Sequence, residues 1–119
     1  MSEHGRDKMM EQENGVVEST MLGTEDHGIL TAWLHLKFNG TGQGFGGYAF
    51  DAFGCEFIRQ VLKVLKVDSW EKLPGKPLRV RREHYGGPIV AIGHYIEDRW
   101  FVPGELANAM CAVVERTEP

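Results

Sequence analysis

Residues 29–38, ILTAWLHLKF, carry the clearest pattern in this sequence. Apolar side chains recur at every second position, and the positions between them hold Thr31, Trp33, His35 and Lys37. Since successive side chains of a β-strand point to opposite faces of its sheet, this alternation predicts a strand with one core face and one polar face. The predicted core face consists of Leu30, Ala32, Leu34, Leu36 and Phe38.

The segments on either side of residues 29–38 predict further strands and two helices. At residues 54–67 the apolar side chains change to helical spacing, which predicts an amphipathic helix, and an Ala-rich periodic segment after Pro103 predicts a second helix. Strands before and after the main helix indicate an α+β fold, an antiparallel sheet with that helix on one face and the other helix at the C-terminus. The other predicted strands are residues 16–22, 48–50, 77–83, 89–96 and 100–102.

The size and composition are those of one globular domain. The chain has 119 residues, of which 42% are hydrophobic and 25% charged. Residues 1–13 are polar and lack periodicity, so we expect a disordered or loosely attached tail followed by a single domain over residues 14–119. The formal net charge of −4 argues against general nucleic-acid binding, which needs a clustered cationic face.

The expected location is the cytoplasm. No apolar run approaches the roughly 20 residues of a membrane span, and the N-terminus is not signal-like. Cys55 and Cys111 lie far apart in apolar surroundings, which is more typical of core thiols in a reducing compartment than of a disulfide framework.

Residues 40–48, GTGQGFGGY, are the first candidate for a binding site. Glycines let a backbone approach a ligand closely and turn N–H groups toward an anion, while Phe45 and Tyr48 offer flat surfaces for a ring. The segment matches the spacing of a dinucleotide-binding fingerprint, but no helix is predicted to open on it, so we reject that assignment. The alternative is structural: a tight hairpin, or glycines that make room for a neighbouring strand.

An arginine cluster is the second candidate. Arg79 and Arg81 share one face of a predicted strand, and Arg82 and His84 follow them. Guanidinium groups match phosphate oxygens in geometry and charge. The alternative is a solvated strand face whose arginines pair with Glu83, Glu97 or Asp98.

No combination of residues indicates bond-breaking chemistry. The triplet Glu25-Asp26-His27 matches no common metal-binding spacing, and there is no nucleophile elbow or phosphate-binding P-loop. We therefore expect a binding protein rather than an enzyme, with no catalytic residues, no metal site and no cofactor. The predicted ligand-binding residues are Gln43, Gly44, Phe45, Tyr48, Arg79, Arg81, Arg82 and His84.

Three segments resemble a small protein family of bacteriophages: residues 18–29 (ESTMLGTEDHGI), residues 42–48 (GQGFGGY), and residues 91–94 (AIGH) with 98–101 (DRWF). The likeness covers roughly residues 14–102, and the family is similar to the Thoeris anti-defence proteins of the nucleotide-sponge type. The resemblance implies a homo-oligomer that sequesters a cyclic ADP-ribose-type immune signal in the host cytoplasm without cleaving it.

Two other functions are compatible with the sequence. One is a protein-binding inhibitor of a host defence complex, similar in role to an anti-CRISPR protein, for which the acidic balance and an exposed Trp33 are suited. The other is a nucleotide hydrolase. The nucleotide-binding hypothesis itself requires the Gly-rich segment and the arginine strand to line one cavity, within one molecule or across a dimer interface.

Overall fold

The computed structural model describes residues 11–25, 28–49, 51–84 and 86–117, with side chains described up to residue 110. A short 3-10 helix, Trp70–Lys72, follows the main helix. The other elements, in chain order, are β1 (Glu11–Glu25), β2 (Ile29–Phe38), β3 (Thr41–Ala49), α1 (Ala52–Leu65), β4 (Pro77–Arg82), β5 (Ile89–His94), β6 (Trp100–Phe101) and α2 (Pro103–Thr117).

The six strands form one antiparallel sheet in the order β3-β2-β1-β4-β5-β6. The long strand β1 holds it together, because its first part pairs with β4 and its second part pairs with β2. Val16 lies at the crossover, opposite both Lys37 and Pro77. The predicted α+β class, with a main helix on the sheet and a second helix at the C-terminus, is confirmed.

Helix α1 covers the core face of the sheet. The Asp51 side chain caps its N-terminus by accepting a hydrogen bond of 3.0 Å from the Gly54 N–H, and Lys66 ends it in the left-handed conformation with φ 59°. The helix residues Phe57, Val61, Val64 and Leu65 are buried. They share one cluster with sheet residues that include Val17, Leu34, Leu36, Phe38, Phe45, Leu78, Val80, Ile92 and Phe101.

The Gly-rich segment is a strand and not a loop. Asn39 and Gly40 have φ values of 55° and 75° and turn the chain tightly, so that pairing with β2 resumes at Thr41. Positive φ at both central residues is the requirement of a type I′ hairpin turn, for which Asn-Gly is the preferred dipeptide. The structure therefore agrees with the hairpin interpretation of residues 40–48.

The folded part of the chain begins earlier than the sequence predicts. Residues 11–13, assigned from the sequence to a tail, form the start of β1 and pair with β4. Glu13 is buried there in an ion pair with Arg82. Residues 1–10 lie outside the described residues.

The hairpin of β1 and β2 extends beyond the part of the sheet that α1 covers. Ala32, Leu34, Leu36 and Phe38 are buried as predicted, but Leu30 is 37% exposed. The Cys55 thiol is exposed on α1 instead of lying in the core, and the Cys111 side chain is outside the described residues. Within the described residues, no helix is long and apolar enough to cross a membrane.

Candidate functional site

The glycines of β3 make room for Trp33, which lies on the polar face of β2. A Cβ atom built on Gly44 would lie 2.9 Å from the Trp33 ring, and one built on Gly47 would lie 2.4 Å from it. The indole Nε1 donates a hydrogen bond of 3.0 Å to a Glu25 carboxylate oxygen. Trp33 is therefore half-buried across β3 and is not the exposed aromatic that the sequence suggested.

A bulge at Gly46 and Gly47 changes the register of β3. Ala32 of β2 lies opposite Tyr48 and the next residue, Trp33, lies opposite Gly46, so Gly47 is the extra residue. Both glycines have positive φ, 119° and 82°. A Cβ on Gly46 would also lie 2.7 Å from the Ala32 carbonyl oxygen, which leaves no room for a side chain.

β3 is an edge strand of the sheet, and a cleft opens beside it. We call this the β3 cleft; its volume is about 420 Å³. On the opposite side, the chain contributes Pro88–Val90 at the start of β5 and Val102–Gly104 at the start of α2. From the β3 side it is lined by Trp33, Gln43, Gly44, Phe45, Gly46 and Tyr48.

The aromatic side chains of β3 are held by the core below the cleft. Phe45 is 5% exposed, and its ring centroid lies 5.7 Å from that of Phe57 and 6.4 Å from that of Phe101. Tyr48 contacts the rings of Phe53 and Phe57 at 4.7 and 5.0 Å. Burial raises the pKa of the Tyr48 phenol, so this group stays neutral and can donate a hydrogen bond inside the cleft.

A polar depression of about 350 Å³ lies next to the β3 cleft, and we call it the polar extension. Gln43 lines both spaces. The other lining residues of this polar extension are Asn39, Thr41, Gly42, Arg82 and Gly86.

Arg82 is the predicted arginine that reaches the Gly-rich strand. Its side chain is 6% exposed, forms an ion pair with Glu13, and lies with its guanidinium carbon 5.2 Å from the Phe38 ring. Arg82 therefore lines the polar extension with its charge balanced by Glu13.

Arg79 and Arg81 lie on the other face of β4, away from the core side. Arg79 donates hydrogen bonds of 2.9 Å to the carbonyl oxygens of His94 and Glu97. The guanidinium carbons of Arg79 and Arg81 lie 4.9 and 3.8 Å from the centroid of Trp100. Neither arginine lines the β3 cleft or its polar extension. Within one molecule, the predicted convergence therefore holds for Arg82 and fails for Arg79 and Arg81.

His84 lies in the connection between β4 and β5. Its carbonyl oxygen accepts a hydrogen bond of 2.9 Å from the Gly87 N–H, and its ring packs so closely on Gly87 that a Cβ there would lie 2.8 Å away. His84 is not among the residues that line either space, so its contribution is to the shape of the connection that carries Gly86 and Pro88.

His94, at the end of β5, holds a turn and lines neither space. His94 is half-buried, and its Nδ1 accepts the N–H groups of Ile96 and Glu97 at 3.1 and 2.9 Å. Asp26 and His27 lie outside the described residues. No group of three or more His, Cys, Asp or Glu side chains in the described ranges is placed to hold a metal ion.

Sequence reasoning missed the far wall of the β3 cleft. Pro88–Val90 and Val102–Gly104 are ordinary element ends with no local signal of binding, and only the path of the sheet brings them opposite β3. Asn39 carried a signal that was overlooked, since an Asn-Gly pair between two alternating segments is a strong indicator of a hairpin.

Comparison with protein-family models, with curated proteins and with solved structures finds no match for this chain. The proposals that follow therefore depend on the geometry of the site and on the resemblance described above.

Proposed function

We propose that the protein binds and sequesters a small cyclic nucleotide of the cyclic ADP-ribose type in the β3 cleft, without cleaving it. The observation that carries this proposal is that Gln43 lines both an aromatic cleft and a polar depression. A nucleotide has the same division, with flat apolar rings at one end and hydroxyl and phosphate groups at the other.

The β3 cleft suits the ring part of such a ligand. Aromatic and proline side chains line it, and its volume of about 420 Å³ lies in the range of small-molecule sites. Tyr48 and Gln43 add polar groups that select one orientation of a base. Each hydrogen bond to a ligand in this partly closed space is worth about 1 kcal/mol.

The polar extension suits the sugar and phosphate part. Thr41 and Asn39 offer uncharged polar groups, Gly42 leaves the backbone accessible, and Arg82 forms part of the wall. Since Glu13 balances the Arg82 charge, phosphate oxygens bound here are recognised by directed hydrogen bonds more than by net charge.

The biological part of the proposal rests on the resemblance to the bacteriophage family. It assigns the protein an anti-defence role in the cytoplasm of an infected bacterium, as a homo-oligomer that lowers the free concentration of an immune signal. To sequester the signal, the protein must bind it tightly and release it slowly, and neither step needs a catalytic group.

Isothermal titration calorimetry of the full chain with cyclic ADP-ribose and related cyclic nucleotides tests the proposal. We expect saturable binding that Gln43→Ala weakens by about tenfold, the equivalent of roughly 1.4 kcal/mol. Arg59→Ala is the matched control, because Arg59 is an exposed arginine on α1 that lines neither the β3 cleft nor its polar extension, and its affinity should equal that of the unmodified chain.

Two outcomes would contradict this assignment. Folded protein that gives no heat with any member of the panel argues against nucleotide binding. Binding that Arg81→Ala abolishes and Gln43→Ala leaves unchanged places the ligand outside the β3 cleft. Mass spectrometry of the ligand released by denaturation separates sequestration from hydrolysis, since a sponge returns it intact.

A protein-binding inhibitor is a second candidate, favoured by the end of the β1–β2 hairpin. Leu22 and Leu30, 51% and 37% exposed, lie on one face of neighbouring strands, and Ile29, 49% exposed, lies on the other face. A stoichiometric host protein recovered with the unmodified chain, and lost with Leu22→Ser and Leu30→Ser, supports this function; an unchanged pull-down argues against it.

A further inference from the structure

Trp100 is the centre of a second surface, distinct from the β3 cleft. Its indole lies flat over Gly93 of β5, where a Cβ would come within 2.7 Å of the ring. The guanidinium groups of Arg79 and Arg81 lie on its ring, and Lys63 and Arg99 line a depression that Trp100 also borders; we call these five residues the Trp100 patch.

Arg81 is held by stacking and not by an ion pair. Its guanidinium carbon is 3.8 Å from the Trp100 centroid, a distance typical of a cation–π contact. Arg79 stacks at 4.9 Å, and its N–H groups are directed to two neutral carbonyl oxygens. Among the ion pairs of the described residues, none involves Arg79 or Arg81, so carboxylates do not balance their charges.

Two further cations border Trp100 at a depression of about 370 Å³, which Lys63 and Arg99 line together with Gln60 and Val64. Arg99 is positioned by Glu97 at 3.0 Å and by the Lys63 carbonyl oxygen at 3.2 Å.

The acidic groups near the patch are few. Glu97 is shared between Lys66 and Arg99, at 2.9 and 3.0 Å. Glu105 lines an adjoining depression on another side of Trp100. The patch is therefore locally positive, although the whole chain has a formal net charge of −4.

We infer that the Trp100 patch is a binding site for a phosphate-bearing ligand. The stacked guanidinium of Arg81 keeps its planar fork of N–H donors free of carboxylates and fixed in direction, the arrangement that recognises phosphate oxygens in pairs. Arg79 stacks on the same ring and places a second guanidinium beside that of Arg81. Arg79 and Arg81, predicted from the sequence as ligand-binding residues, belong to this site and not to the β3 cleft.

A titration of the full chain with inorganic pyrophosphate tests the inference, followed by NMR of the arginine Nε–H groups. We expect saturable shifts of the Arg81 signal, and binding weakened at least about tenfold in Arg81→Ala and to a lesser degree in Arg81→Lys, which keeps the charge but loses the fork. Arg59→Ala is the control, because Arg59 is an exposed arginine on α1 that pairs with Glu56, and it should bind pyrophosphate normally.

Three results would overturn the inference. They are shifts that never saturate, shifts that sulfate reproduces at the same concentrations, and equal binding by the unmodified chain and a folded Arg81→Ala variant. The inference is independent of the proposed function, since the Arg81 Nε–H signal reports on the Trp100 patch and not on the β3 cleft. An ATP titration then shows whether a base adds affinity by stacking on the patch.

Discussion

At the scale of single residues, the contacts between glycines and tryptophans explain most of the unusual sequence of β3 and β5. Gly44 and Gly47 lie beneath Trp33, and Gly93 lies beneath Trp100. Each indole covers strand backbone that lacks a side chain, which gives an otherwise weak glycine-rich strand a packing partner. The two tryptophans in turn border the two candidate binding surfaces.

Gly47→Ala tests this packing. The added Cβ meets the Trp33 ring at 2.4 Å and the residue has a φ of 82°, so we expect a loss of about 2–4 kcal/mol in the free energy of unfolding. Gly42→Ala is the control, since its Cβ would meet only a carbonyl oxygen at 3.5 Å, and its stability should stay within about 1 kcal/mol of the unmodified chain. Urea unfolding measures both; equal effects would show that the indole contact is unimportant.

Tyr48 gives a prediction for alkaline pH. Burial raises the pKa of its phenol above the usual 10.0, so the folded state keeps a proton that the unfolded chain has already released. The contribution of the neutral phenol to stability is fully present below pH 10 and is lost as the pH rises through the folded pKa. In an alkaline titration followed by phenolate absorbance, one component should appear at higher pH than the others. Tyr48→Phe should remove that late component.

Tyr95→Phe, which removes an exposed phenol outside the cleft, is the control and should leave that component in place. A saturating ligand in the β3 cleft should delay the Tyr48 titration further, because it excludes more water. A titration curve that Tyr48→Phe does not change would show that the phenol is not shielded.

At the scale of the elements, α1 depends on one local cap. Asp51 accepts from the Gly54 N–H, whereas Ser69, before the short 3-10 helix, makes no such side-chain bond. We expect Asp51→Ala to lower the free energy of unfolding by about 1 kcal/mol and Ser69→Ala to change it by less than about 0.5 kcal/mol. Thermal unfolding of both variants measures the difference, and similar melting temperatures would contradict a capping role for Asp51.

At the scale of the whole molecule, the Glu13–Arg82 pair joins the start of β1 to the end of β4. Both side chains are largely buried, with 13% and 6% exposed. Removing the carboxylate breaks an ion pair in a site that largely excludes water, so Glu13→Ala should destabilise the fold by about 3–5 kcal/mol.

Glu18→Ala is the matched control, because Glu18 is an exposed residue of the same strand, and its effect should lie within about 0.5 kcal/mol. Urea unfolding compares the two variants. If Glu13→Ala is as stable as Glu18→Ala, the start of β1 contributes little to the free energy of unfolding. That result would agree with a loosely attached tail over residues 1–13.

Much of the fold was predictable from local patterns. The alternation over residues 29–38 and the apolar stripe around Phe57 each identify a buried face without knowledge of any partner. Two errors had a local cause. The Asn39-Gly40 turn was missed, and the weak strand propensity of glycine concealed β3, which is stable because β2 and Trp33 cover it.

The candidate site was less predictable. Gln43, Gly44, Phe45 and Tyr48 were identified as a group and do line one cleft. Arg81 and Arg82 were assigned to the same ligand, although neighbouring residues of a strand point to opposite faces. The structure places Arg82 beside Gln43 and Arg81 on Trp100.

The sequence by itself determined the order of the elements and their buried faces, because side-chain periodicity is a property of a few consecutive residues. Only the tertiary structure decided which surfaces meet. β1 pairs with β4 and β2 along different parts of its length, and β3 lies across a cleft from the start of β5. These contacts join residues distant in the chain, and their free energy depends on how the whole sheet packs around α1.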